Sequence, residues 1–192
     1  MLKSHGITAE TPKNLLFSAA VLYKNLKWSE TQWQGTVLGA TSGGTKVSIA
    51  QEYMDAELDG ATVKIKGAKN KVGEEASATG NFTEITEGIL VDALHLEKVT
   101  DPTVKGFSHY KTKSLLVDED YLENIGIVGT LNDGRQCIVI MENALCTSAF
   151  ELDTKNKTQA TYECVFECHA TFEQDALNYL PIHIYFPTTD LV

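Results

Sequence analysis

The sequence predicts a mainly β protein, a sandwich or barrel of antiparallel hairpins with one flanking α-helix and extended terminal arms. Three observations carry this. Apolar and polar residues alternate over several short runs, the period of a half-buried strand. Gly-Gly and Asp-Gly pairs punctuate those runs as turns do. Only one stretch carries a helical stripe, and a lone amphipathic helix cannot bury its own apolar face. The 192 residues, 43% of them hydrophobic, suit a single domain over 1–192 with a sizeable core.

Taken in order, residues 1–16 read as an N-terminal arm containing Pro12 and little periodicity. Residues 18–28 read as a strand or a short helix, and 35–39 as extended chain before a Gly43-Gly44 turn. From Thr45 the alternation is plain: Val47, Ile49 and Tyr53 share one parity, Lys46, Ser48 and Glu52 the other. Asp59-Gly60 marks a tight turn, after which Ala61, Val63 and Ile65 alternate with Thr62, Lys64 and Lys66 as a second strand. Residues 76–85 form a weaker strand candidate because their side chains are small.

Residues 86–97 predict the helix. Thr86 suits its N-cap, Glu87 its positive first turn, and Ile89, Leu90, Ala93 and Leu94 its apolar face. Residues 98–124 read as a long connection with one strand around 109–117. The strongest hairpin pairs 125–131 with 135–141 across Asn132-Asp133-Gly134. A further hairpin pairs 149–152 with 159–172. Residues 180–192 form a C-terminal arm, whose Pro181 and Pro187 confine any strand there to an edge.

Composition and motifs narrow the function classes. A net charge of −10 repels phosphate, so specific nucleic-acid binding is not expected. The first six residues lack the apolar core of a secretory signal, and no apolar run is long enough to span a bilayer. Synthesis in a cytoplasm follows as the expectation, and Cys137, Cys146, Cys164 and Cys168 then read as reduced, buried thiols. Neither phosphate-cradling glycine motif occurs, nor a nucleophile elbow, and the five histidines are scattered. No cofactor is expected, and the chain does not read as an enzyme.

Two constellations need weighing. Cys164, Cys168 and His169 look like metal ligands on paper, but Tyr162, Cys164, Phe166 and Cys168 fall on one parity of a strand. Four residues along a strand separate the thiols by roughly 13 Å. A single zinc ion needs both sulfurs at about 2.3 Å, and His169 points to the other face, so no metal is expected. Asp118-Glu119-Asp120 with Glu123 lacks the glycine and the fifth-position oxygen of a calcium loop, and reads as a solvated turn.

Spare strand edges make assembly plausible, because identical subunits repeating one heterologous contact close into a ring or run on as a filament. Beyond that physical reading, the order of segments resembles the tail tube proteins of long-tailed bacteriophages. The resemblance lies in Ala20-Val21-Leu22-Tyr23-Lys24-Asn25, Gly35-Thr36-Val37-Leu38-Gly39, Tyr53-Met54-Asp55-Ala56-Glu57-Leu58-Asp59-Gly60, and Val63-Lys64-Ile65-Lys66-Gly67. It continues through the helix after Phe82-Thr83-Glu84-Ile85, residues 150–172, and Leu180-Pro181-Ile182-His183-Ile184-Tyr185-Phe186-Pro187. It covers most of the chain as a likeness of layout, with no single diagnostic motif.

The resemblance implies a subunit that assembles into hexameric rings, stacked as a hollow tube in the virion tail. The implied partners are other copies of itself, a tape measure protein in the lumen, and tail-tip or baseplate and tail-terminator proteins at the ends. DNA would pass through without specific binding, which gives the acidic balance a purpose. Val47, Ile49, Val63 and Ile65 are then expected on strands of the lumen sheet. Tyr53, Met54, Asp55 and Asp59 are expected in or beside a stacking loop at 53–60. The alternative is an ordinary hairpin packed within its own subunit. Competing classes are the tube of a contractile injection device or phage-derived bacteriocin, and a carbohydrate-binding sandwich using Trp28 and Trp33. An enzyme gathering His95 or His109 near Asp118 or Asp120 is the remaining one.

Overall fold

The computed structural model describes residues 5–16, 18–100, 104–173 and 178–188. Strands β1 (Val21–Ser29) and β2 (Gln32–Val37) form one hairpin, and β3 (Thr41–Asp55) and β4 (Lys69–Phe82) a much longer one. Helix α1 (Glu87–Leu94) and the short pair β5 (Glu97–Lys98) and β6 (Tyr110–Lys111) follow. Then come β7 (Leu122–Thr130), β8 (Gln136–Cys146), β9 (Tyr162–Cys168) and β10 (Ile182–Tyr185). All main pairings are antiparallel, in the order β2-β1-β7-β8-β9-β4-β3, with β10 added on β8.

The sheet folds over on itself because β8 splits its far edge between two partners. Ile138–Met141 pair with β10, and Ala144–Cys146 pair with β9. The two halves then face each other as a sandwich. Leu22 of β1 lies so close to β4 that a Cβ built on Gly80 would stand 2.5 Å from its Cδ1. Between the halves lie Leu22, Ile127, Met141, Phe82, Tyr162 and Phe166, closed by Ile89 and Ala93 of α1. The expected alternation in β9 holds: Tyr162, Cys164, Phe166 and Cys168 are buried, while Glu163 and Glu167 are exposed.

The other face of β7 and β8 is covered by the first hairpin. Asn25 takes a left-handed φ of 54° at a bulge in β1, which redirects the strand after Lys24. The Leu26 N–H then donates to the buried Asn124 Oδ1 at 2.8 Å. Leu26 packs on Val128, Ile138 and Ile140 with Tyr23 and Trp33 alongside.

Several expectations change. Residues 61–67 are not a strand but part of the loop between β3 and β4. Gly60 and Gly67 have φ of 85° and 92° there, and β3 pairs instead with Lys69–Phe82. Burial decides this: Ala76, Ala78 and Phe82 reach the core, whereas Val63 is 76% exposed. The strand candidate at 76–85 is thus the buried end of β4. Gly43 and Gly44, expected as a turn, lie inside β3, where φ values of 84° and 88° accompany a shift of register between Thr41 and Thr45. Residues 149–152 form no strand, and β9 pairs with the end of β8 and with β4. Within 109–117 only Tyr110–Lys111 pairs, and Asp118–Asp120 make a single 3₁₀ turn.

The helix is shorter than 86–97. Thr86 Oγ1 accepts from the Ile89 N–H as a cap should, and His95 at φ 51° ends it. The 125–141 hairpin forms as expected within β7 and β8. At the termini, the Asn132 N–H donates to the Leu15 carbonyl and Leu16 bridges Leu131, which ties the N-terminal segment to the β7–β8 turn. In the C-terminal segment the proline-bracketed stretch becomes the strand β10. Residues 1–4 and 189–192 of the two arms lie outside the described residues.

Candidate assembly surfaces

The β3–β4 hairpin gathers the eight residues that sequence reasoning singled out, though not in the arrangement expected. Val47 faces Ala78 and packs on the core, half-buried. Ile49 faces Ala76 on the same side, but the core has receded there and it is 40% exposed. Tyr53, Met54 and Asp55 are the last residues of β3, paired with Lys71, Asn70 and Lys69. Asp59 sits in the Asp59-Gly60 turn of the tip, and Val63 and Ile65 lie in the same loop. From Ile49 to Val72 every residue of the hairpin except the half-buried Ala68 is exposed, so its outer half stands clear of the core.

The tip is nonetheless ordered by its own contacts. Asp55 pairs with Lys64 at 3.3 Å and Lys69 at 3.6 Å, and the Ala56 N–H closes the loop on the Ala68 carbonyl at 2.6 Å. These exposed ion pairs contribute little stability, but they shape the loop into a small lobe. Lower down, Glu74 accepts from the Leu180 N–H at 3.3 Å and from Gln51 at 2.9 Å, and pairs with Lys71 at 2.8 Å. Hydrogen bonds from Lys71, Gln51 and Leu180 hold its carboxyl down at about 2.

The two faces of β3, β4 and β9 differ in chemistry. The inner one carries Ala76, Ala78, Phe82, Cys164 and Phe166. On the outer one, cross-strand pairing aligns Ala50 with Glu75, Ser48 with Ser77 and Glu167, and Asn81 with Glu163. Glu52, Glu75, Glu163 and Glu167 are all exposed there, against the single cation Lys46. Strands β2 and β3 end the sheet, so each presents an edge without a partner among the described residues.

A second surface forms around the two tryptophans that the sequence offered for a binding module. Trp28 and Trp33 face each other across the β1–β2 turn, with centroids 5.4 Å apart, and Trp33 meets Tyr185 at 4.9 Å. With Ile138, Phe186 and Pro187 they line a groove of about 710 Å³. Trp28 is 56% and Phe186 62% exposed. The sequence showed the two tryptophans five residues apart across a polar stretch, but nothing there placed Tyr185 and Phe186 beside them.

Several of the remaining sequence candidates have local partners. Cys164 and Cys168 are buried core residues, and burial pushes the Cys168 thiol up to about 12. The His169 ring bonds to backbone carbonyls of Glu167 and Asn143. Burial alone would raise the Asp120 carboxyl, but Lys113 and the Val117 N–H outweigh it and hold it below the ordinary carboxylate range. His95 Nε2 is engaged with the Cys146 carbonyl at 2.8 Å. Among the described residues no three His, Cys, Asp or Glu side chains are placed to hold a metal ion, and no helix is long and apolar enough to cross a membrane.

No family model matches the chain, and no curated protein matches it. Among solved structures it is similar to a chain described as virion of native gene transfer agent (GTA) particle. The identity is 15%, over 79% of this chain and 92% of that one, with a TM-score of 0.43.

Proposed function

We propose that this chain is a structural subunit of a phage tail tube, self-assembling into stacked, hexameric rings that conduct DNA. The observation that carries the reading is the β3–β4 hairpin, whose outer half leaves the body largely exposed and with the β3 edge unpaired among the described residues. Such a strand invites pairing with another chain unless charge, proline or a covering element blocks it, and Ile49, Tyr53 and Met54 are large hydrophobic side chains along its exposed length. In the proposed ring, Val47 and Ile49 lie on the strand that pairs between subunits. The tip bearing Asp55, Asp59, Val63 and Ile65 reaches towards the next ring.

The acidic outer face of β3, β4 and β9 is the proposed lumen lining. Glu52, Glu75, Glu163 and Glu167, repeated around a ring, repel phosphate and let DNA slide. Before DNA, a tape measure protein occupies that lumen, and tail-tip and tail-terminator proteins close the ends. The test is negative-stain electron microscopy of the purified chain at rising concentration, with and without tail-tip complexes. Hollow tubes or stacked rings of uniform width are expected. A chain that stays monomeric under every one of these conditions contradicts the reading.

A further inference from the structure

Two of the apolar features exposed among the described residues differ in shape. One is convex, the lobe at the tip of the β3–β4 hairpin, where Leu58, Val63 and Ile65 are 51%, 76% and 48% exposed. The other is concave, the groove framed by Trp28, Trp33, Tyr185 and Phe186. At about 710 Å³ the groove falls in the range, roughly 300–1,000 Å³, of sites that enclose a compact apolar group. Exposed apolar patches of this kind mark interaction sites.

Charge says which partner. Residues 55–71 carry three carboxylates, Asp55, Glu57 and Asp59, against four lysines, Lys64, Lys66, Lys69 and Lys71. That is a net charge of +1, which leaves −11 for the rest of a chain whose total is −10. Around the groove Lys27 balances Glu30, and Arg135 is paired with Asp133 at 2.6 Å. Two copies of so acidic a chain repel each other over most of their surface, since like charges brought together oppose association. The lobe and the groove are two places where apolar surface is exposed without that repulsion.

We propose that the lobe of one copy docks in the Trp28–Trp33–Tyr185–Phe186 groove of a second copy. The proposal rests on the tail-tube reading and names a contact for it. Lobe and groove are different surfaces, so the contact is heterologous and each docked copy leaves a free lobe at one end and a free groove at the other. The contact therefore repeats without limit, as a tube requires.

Two substitutions on exposed side chains test it, Val63→Asp in the lobe and Phe186→Asp in the groove. Each variant is expected to keep the wild-type melting temperature while raising the concentration at which tubes appear by at least tenfold. A 1:1 mixture of the two should sediment as a discrete species of two copies or two rings and no longer. In that species the intact lobe of one variant meets the intact groove of the other, and no working contact remains at its ends. Wild-type tubes from either single variant would overturn the docking inference and leave the tail-tube reading standing; this is also the outcome if the groove serves a foreign ligand. A wild-type chain that assembles under no condition overturns both.

Discussion

A single glycine sets how closely the first hairpin packs on the other face of the sheet. A Cβ on Gly126 would stand 2.3 Å from Leu26 Cδ2 and 2.6 Å from its Cβ, so the bulged turn of β1 rests directly on the backbone of β7. Gly126→Ala is therefore expected to destabilise the fold by about 1–3 kcal/mol, the cost of overpacking, read from urea midpoints. Replacing Leu26 by Ala in the same chain should recover part of that loss. Glu74 acts at the same scale through pH. Its carboxyl stands at about 2 in the fold against an ordinary 4.5, because Lys71, Gln51 and the Leu180 N–H favour the charged form. A lowered value contributes stability that is complete above pH 4.5 and fades as pH falls through about 2. Glu74→Gln should flatten the acid limb over that window, with wild type losing more stability than the variant. Neither residue announces itself in the sequence: Gly126 sits in an apolar run, and Glu74 is one of two adjacent glutamates.

Among the elements, β3 and β4 carry the proposed function and α1 closes the core. The loop at 56–68 makes no contact with the core, so replacing it by Asn-Gly between the paired Asp55 and Lys69 should leave a folded body. Its stability is expected within about 1 kcal/mol of wild type, as for exposed changes, and tubes should be absent by electron microscopy. Normal tubes from the shortened chain would remove the tip from the assembly. The sequence shows elements best where burial and turn chemistry agree. The 125–141 hairpin is such a case, with both sides apolar and Asp133-Gly134 between. So is the helix start at Thr86. Residues 61–67 fail because alternation alone does not supply a partner strand, and the small residues Ala76 and Ala78, weak by propensity, take the buried register instead.

For the whole molecule, the decisive property is an uneven distribution of charge. A net of −10 reads simply as solubility until the fold gathers Glu75, Glu163 and Glu167 on one face of β4 and β9. Reversing these three to Lys is expected to raise the chain's affinity for duplex DNA at low salt. The logarithm of affinity should then fall with the logarithm of salt at a slope near −0.9 for each phosphate neutralised. Filter binding across a salt series measures this. Affinity unchanged by the reversal would place that face away from any DNA path.

The residue order alone determined the class of fold, most of the strands, the helix cap, and the burial of Cys164 and Cys168 on one parity of β9. These follow from local rules, because side-chain period, turn chemistry and capping act within a few residues. Only the tertiary structure decided that β8 divides its edge between β9 and β10, that β1 bends at Asn25 over β7, and that the β3–β4 hairpin outruns the core. It alone brought Trp28 and Trp33 to Tyr185 and Phe186, more than 150 residues further along the chain. Those outcomes depend on which distant surfaces bury each other, and no window of neighbouring residues contains that information.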